Sequence, residues 1–282
     1  MSVQLIRNTS QFLPTILGAA ALALGATSIA HATVLTGNSA AFGLSADVTL
    51  PGASINIPPV PSTAGNAPPP YNNGTPQFGA VGISTSAGSL TANVLPLSAV
   101  STVTGTGGGT TSASAAVTDL VGSIAPSILA SLGINASAVS SNAQITGDYG
   151  ALTATGSTTI AGGSLSLTGG LLPGATNTVL NASPGPNTQV LPNILNPLGL
   201  SLTLNRQITS GDGATSSSLE VRGIDLVFNN FAGAVNGEVI IADSLAAETA
   251  GPNNTPVPEP ASMALLGVGL IGSLGLRRRK AA

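Results

Sequence analysis

Between residues 41 and 50 apolar and polar positions alternate strictly, with Phe42, Leu44, Ala46, Val48 and Leu50 set against Gly43, Ser45, Asp47 and Thr49. A period of two places one set on a buried face and the other in solvent, which predicts a half-buried strand. Pro51-Gly52 closes it as a turn, and residues 54–57 follow as a second short strand. Similar runs of small residues recur at 81–86, 89–95, 97–104, 110–117, 136–146, 151–160 and 164–168. The glycines at 105–109 read as a flexible turn. They are not a phosphate loop, because no Gly-Lys-Ser/Thr or Gly-x-Gly-x-x-Gly pattern opens a helix there.

Three stretches depart from this rhythm. In residues 119–132, Leu120, Val121, Ile124, Ile128, Leu129 and Leu132 recur at three- and four-residue spacing. That spacing predicts a short helical insert, capped by Thr118 or Asp119 and interrupted at Pro126. Residues 58–76 are proline-rich and contain Ala67-Pro68-Pro69-Pro70-Tyr71-Asn72, which predicts a polyproline II surface loop covering a sheet edge. Residues 169–197, dominated by Gly, Pro and Asn, read as a long irregular connection with brief pairing near 187–191.

The clearest pattern comes next. Leu200, Leu202 and Leu204 alternate, Ser210-Gly211-Asp212-Gly213 turns the chain, and Leu219 and Val221 resume the alternation. After Gly223 it continues one step out of phase as Ile224, Leu226 and Phe228, the mark of a β-bulge. Residues 235–242 add a further strand. Strands joined by tight turns predict an all-β, antiparallel β-sandwich-like domain rich in Gly, Ala, Ser and Thr. A β-solenoid is the alternative, disfavoured because no repeat period is visible.

The two ends follow other rules. Arg7 precedes an apolar run over residues 12–29, and Ala30-His31-Ala32 supplies a small-x-small cleavage pattern with Thr33 as the mature start. Residues 1–32 therefore read as a signal peptide, 33–250 as the secreted domain and 251–256 as a linker. At the other end Val257-Pro258-Glu259-Pro260 precedes an uncharged apolar run over 261–276, then Arg277-Arg278-Arg279-Lys280. As a helix that run reaches roughly 24 Å, a short transmembrane span. The four cations hold its end in the cytoplasm. This tail resembles the PEP-CTERM sorting signal of Gram-negative bacteria. The resemblance implies anchoring in the inner membrane, recognition by an exosortase near Glu259, and release to the cell surface or the exterior. Signal peptidase and exosortase are then the processing partners, and residues 257–282 form the sorting and anchor segment.

Charge and reactive groups narrow the function. Five of the seven basic residues lie in the two targeting ends, so residues 33–255 keep Arg206 and Arg222 against nine acids, a net charge of -7. Such a body repels phosphate backbones, which argues against nucleic-acid binding. The chain has no cysteine, and its one histidine, His31, leaves with the signal peptide. No base remains for a Ser-His or Ser-Lys arrangement, and no thiolate for zinc. Asp212, Glu220 and Asp225 are the remaining carboxylates for a glycosidase, but the body has few aromatic platforms for sugar. Ser210 to Gly213 and Asn229-Asn230 are oxygen-rich without matching a calcium loop.

The segments Ala67 to Asn72, Leu204-Asn205-Arg206-Gln207-Ile208, Val221 to Phe228 and Gly237 to Ala242 are together similar to the choice-of-anchor P family of secreted bacterial domains. That family carries no assigned chemistry. The expectation is a non-enzymatic surface or extracellular-matrix protein, associated with exopolysaccharide in a biofilm, with no cofactor, metal or catalytic residue. The alternative is an envelope-anchored polysaccharide-binding module, with Tyr71 and Asp212 on its ligand loops.

Overall fold

The structure is a computed structural model that describes Ala32–Pro252 apart from positions 87, 128–129 and 170–174. Residues 1–31 of the expected signal peptide, including Ala30, and the tag at 257–260, the expected span and the stop at 277–280 lie outside the described residues. Among the described residues no helix is long and apolar enough to cross a membrane.

The body is two antiparallel sheets. The first holds β1 (Ala32–Leu50), β2 (Ala53–Ala67), β12 (Thr188–Gln189), β13 (Leu200–Gly211), β14 (Ser216–Phe231) and β15 (Val235–Pro252), in the order β12-β13-β14-β15-β1-β2. The second holds β3 (Tyr71–Gly74), β4 (Phe78–Thr85), β5 (Gly88–Val94), β6 (Ser98–Ser101), β7 (Gly109–Ser127), β8 (Ala130–Gly147), β9 (Thr153–Ala161), β10 (Ser164–Thr168) and β11 (Thr176–Val179). Its main path is β11-β10-β8-β7-β5-β4, with β6 and β9 flanking the far halves of β7 and β8. The inner faces pack on each other, so the architecture is a β-sandwich and the solenoid alternative is set aside.

Small residues set how closely the sheets approach. A Cβ on Gly43 would lie 2.4 Å from Val94 Cγ1, and one on Gly156 would lie 2.6 Å from Val221 Cγ2. Either would force the opposite sheet away.

Three expectations are corrected. Residues 119–127 and 130–132 are not helical: they form the end of β7 and the start of β8, which pair Leu120 with Ala136 and Ile124 with Leu132. The helical spacing arises from a break in strand alternation. Asp119 has φ 51, and the ladder passes over it and Ser137, so Val117 and Leu120 both face the core. Among the described residues the α-helix, α1 (Pro192–Leu195), lies in the stretch expected to be irregular and is followed by a 3-10 turn, Asn196–Leu198. Finally, Pro58, Pro59 and Pro61 belong to β2 rather than to a polyproline loop. β2 is the margin of its sheet, and Pro58 and Pro59 lie where its ladder with β1 shifts register, between the pairs Leu44–Val60 and Ala46–Ile57, so they fall outside the regular ladder.

The phase shift expected at Gly223 belongs to a larger feature. Leu204 pairs with Ile224, Ile224 with Ile241, and Ile241 with Leu44, while the next pairs are Arg206 with Arg222, Arg222 with Asp243, and Asp243 with Phe42. Each strand therefore inserts one residue at the same level: Asn205, Gly223, Ala242 and Gly43. Register survives because all four insert together, but every side chain exchanges faces across the line. Asn205 and Ala242 reach it through φ values of 50 and 54. Apart from Ala41, the line separates the first sheet's members of the two hydrophobic clusters. The larger contains Leu44, Leu204, Ile224 and Ile241, and the smaller contains Val34, Leu219, Val221 and Ala246.

Candidate functional site

Charge is concentrated on the outer face of the first sheet, beside the inserted residues. Arg222 Nε lies 2.5 Å from Glu220 Oε1 and 3.7 Å from Asp243 Oδ2. Its Nη1 lies 2.6 Å from Glu238 Oε1 and 3.3 Å from Asp225 Oδ2. Arg206 Nη1 also donates to Asp225 Oδ2 and lies 3.8 Å from Glu238. Both arginines of the body and four of its nine acids thus form one network. The Asp225 side chain is fully buried within it, and its Oδ1 has no hydrogen-bond partner among the described residues. Burial, reinforced by Glu220, pushes the Asp243 carboxyl up to about 8, so the network holds a proton at neutral pH.

A second acid is buried between the sheets. Glu248 is 2% exposed and neither carboxyl oxygen has a hydrogen-bond partner among the described residues. Burial pushes it up to about 7, against the nearby Thr111 hydroxyl and with help from Asp148. A neutral Glu248 is the form this environment favours.

Tyr71 and Asp212 stand apart from the ionic network and both serve the fold. A Cβ on Gly65 would meet the Tyr71 ring at 2.2 Å, so the ring lies flat on β2. Its hydroxyl and the Ser39 hydroxyl are 2.8 Å apart. Burial raises the Tyr71 pKa. Asp212 closes its own hairpin: its Oδ1 accepts the N–H groups of Thr215 at 2.7 Å, Ala214 at 2.9 Å and Ser216 at 3.0 Å, and Thr215 Oγ1 donates to its Oδ2 at 2.7 Å. Those bonds, the Ser216 N–H first, hold its carboxyl well below the usual range. Ala32 opens β1 and pairs with Pro252, and Thr33 pairs with Gly251 and is buried, so the expected cleavage bond after Ala32 lies at the first step of a strand that packs into the domain.

Asp212, Glu220 and Asp225 do not converge as a glycosidase pair. Asp212 sits at the hairpin tip, while Glu220 and Asp225 are both engaged by Arg222. Among the described residues no group of three or more His, Cys, Asp or Glu is placed to hold a metal ion.

The outer face of the second sheet carries uncharged polar residues. Across β6, β7, β8 and β9 the register aligns Ser98, Ser114, Asn142 and Ser157 in one row. Ser112, Gln144 and Thr155 form the next, and Thr110, Thr146 and Thr153 another. Thr110 and Thr146 hydroxyls are 3.0 Å apart, and those of Ser140 and Thr159 2.6 Å. An open groove of about 280 Å³ over this face is lined by Pro96, Ala115 and Ala116 together with Ser114, Ser140, Ser141, Asn142, Ser157 and Thr159. Sequence reasoning did not find it, because these residues read as ordinary outward strand positions until register aligns them.

Comparison with known proteins identifies the tail. Residues 256–280 match the PEP-CTERM protein-sorting motif. This motif marks an exported protein that is sorted by an exosortase and delivered to the cell surface. No curated protein and no solved structure matches the chain.

Proposed function

We propose that the chain is a non-enzymatic protein of the cell surface or of an exopolysaccharide matrix. The observation that carries this reading is the sorting motif at residues 256–280, which begins four residues after the end of β15 at Pro252. The body supports it in kind. Six of its nine carboxylates are tied to arginines, closed into a turn or buried, and it retains no histidine, cysteine or lysine after residue 32 and before 256. The similarity of the body to choice-of-anchor P domains, read from its motifs, belongs to the same proposal. So do removal of the signal peptide after Ala32 and transient anchoring in the inner membrane through the apolar run and Arg277 to Lys280.

Intact-mass spectra of the protein from membrane and extracellular fractions test this. The expected extracellular species begins at Thr33 and ends near Pro258-Glu259-Pro260. Exclusive recovery of a membrane species that retains Arg277 to Ala282 would overturn release into a matrix.

The second reading is an envelope-anchored polysaccharide-binding module, and the groove over β7, β8 and β9 favours it. A face of hydroxyls and amides without charge suits a neutral polyhydroxyl chain better than an acidic one. Retention of the protein on the neutral fraction of the producing cells' exopolysaccharide, reduced in Asn142→Ala/Thr159→Ala, is the result this reading expects. Equal retention of the variant would discard the groove.

A further inference from the structure

The margins of the two sheets are not alike. β12 has two residues, β3 and β11 four each, and β2 carries three prolines. The free side of β9 is met at Gly156 O by Gln207 Nε2 and at Ile160 N by Ala182 O. Each is short, blocked or covered, as soluble sheets usually require.

β4 is the exception. It has eight residues, Phe-Gly-Ala-Val-Gly-Ile-Ser-Thr, with no charge and no proline, and it pairs with β5 alone. From Phe78 to Ser84 its other side meets no backbone partner among the described residues. Val81 and Ile83 pack on the core, whereas Ala80, Gly82 and Ser84 are exposed and Phe78 is 53% exposed.

We propose that β4 is a self-association edge that pairs antiparallel with β4 of a second copy, joining two nine-stranded sheets into one. The occupant follows from the chemistry of the strand. An uncharged edge offers a charged partner no ion pair, and it matches itself. The ladder with β5 shifts register at Gly79, so the regular edge runs from Ala80; pairing centred on Gly82 sets Ala80 against Ser84 on the outer face and Val81 against Ile83 on the inner, and no charge opposes a charge. The two-fold relation closes the contact at a dimer rather than a fibre. A ladder of this length is small beside the ~1,200–2,000 Å² of standard stable interfaces, so the dimer depends on concentration. The net charge of -7 on residues 33–255 makes the bodies of two copies repel, so added salt strengthens pairing. This inference does not rest on the matrix reading.

Sedimentation velocity of the full chain in detergent tests it, at rising protein concentration and at low and high salt. The wild-type chain is expected to pass from monomer to dimer, further so in high salt. Ala80→Lys/Ser84→Lys, which places two cations on the exposed face of the edge, is expected to stay monomeric with an unchanged circular dichroism spectrum and melting temperature. Asn56→Lys/Asn66→Lys, an equal change of charge at exposed positions of β2, is expected to retain the dimer. A wild-type chain monomeric throughout, or a dimer undiminished in the double-lysine variant, would overturn the proposal.

Discussion

Arg222 and Asp225 lie three positions apart in one strand and still meet on the same face, with Nη1 and Oδ2 3.3 Å apart. In an uninterrupted strand positions three apart point to opposite faces. The residue inserted at Gly223 reverses the phase between them, and Asn205, Ala242 and Gly43 make the same insertion alongside. The ionic network therefore exists because the sheet shifts phase there. Removing Arg222 leaves Asp225 buried without its full complement of charge, a change that typically costs about 3–5 kcal/mol. Arg222→Ala should therefore lower the urea midpoint strongly. Arg222→Ala combined with Asp225→Asn should cost less than the sum of the two single changes, because the second removes the stranded charge. Additive losses in that double-mutant cycle would show that the pair is not coupled.

Gly223 itself is fixed by space. An added Cβ would lie 2.8 Å from Val139 Cγ1 and 3.0 Å from the carbonyl oxygen of Ile241. Gly223→Ala is thus expected to destabilise by roughly 1–3 kcal/mol through overpacking across the two sheets. Gly107→Ala, where an added Cβ meets nothing within 4 Å, should leave the melting temperature nearly unchanged. Equal effects at the two sites would count against the close approach of β14 to β8.

Much of this arrangement is written locally and some of it is not. Leu200, Leu202 and Leu204 alternate in sequence and are all buried on one face. The shift at Gly223 is visible in the same way, because Val221 and Ile224 are both apolar. What a single strand cannot show is that its neighbours shift too, since register across 213 residues between Thr36 and Thr249 is a property of the folded sheet. The same ambiguity misdirects residues 119–132. A phase shift at Asp119 followed by resumed alternation produces apolar spacings of three, which are also helical spacings. The proline-rich β2 misleads for another reason. Whether a strand lies at a margin decides whether proline is tolerated, and position in the sheet is not local information. The ionic network and the hydroxyl groove were illegible for the same cause: Arg206, Arg222 and Asp243 become neighbours through ladder pairing.

Tyr71 and Asp212 stood out in the sequence as exposed loop residues, and their contacts predict structural effects. Tyr71→Phe removes the 2.8 Å contact with Ser39 while keeping the ring on Gly65, so it is expected to cost about 1 kcal/mol. Tyr71→Ala, which also strips the ring from β2, should cost more. Asp212→Ala should loosen the β13–β14 hairpin, seen as faster hydrogen exchange at the Ala214, Thr215 and Ser216 amides that it now accepts. Exchange unchanged at those three amides would show that the turn holds without the carboxylate.

Glu248 predicts how stability depends on pH. Its folded pKa is raised to about 7 from an ordinary 4.5 by burial. A carboxyl with a raised folded pKa binds its proton more tightly in the folded chain. Its contribution is therefore complete below the unfolded value and is lost as pH climbs through the folded one. The shift corresponds to roughly 3 kcal/mol at most, spread over about pH 4.5 to 7. Asp243, raised to about 8, acts in the same direction and extends the decline to higher pH. The wild-type melting temperature is accordingly expected to fall as pH rises from mildly acidic to neutral. Glu248→Gln replaces the acid by a neutral amide of the same shape, so its curve should be flatter over that interval and lie above wild type at pH 8. The residual slope near pH 8 should then disappear in Glu248→Gln/Asp243→Asn. A wild-type curve that is flat from pH 5 to 8, or a Glu248→Gln curve parallel to it, would mean that the acid is ionised in the folded chain and finds its partner in solvent.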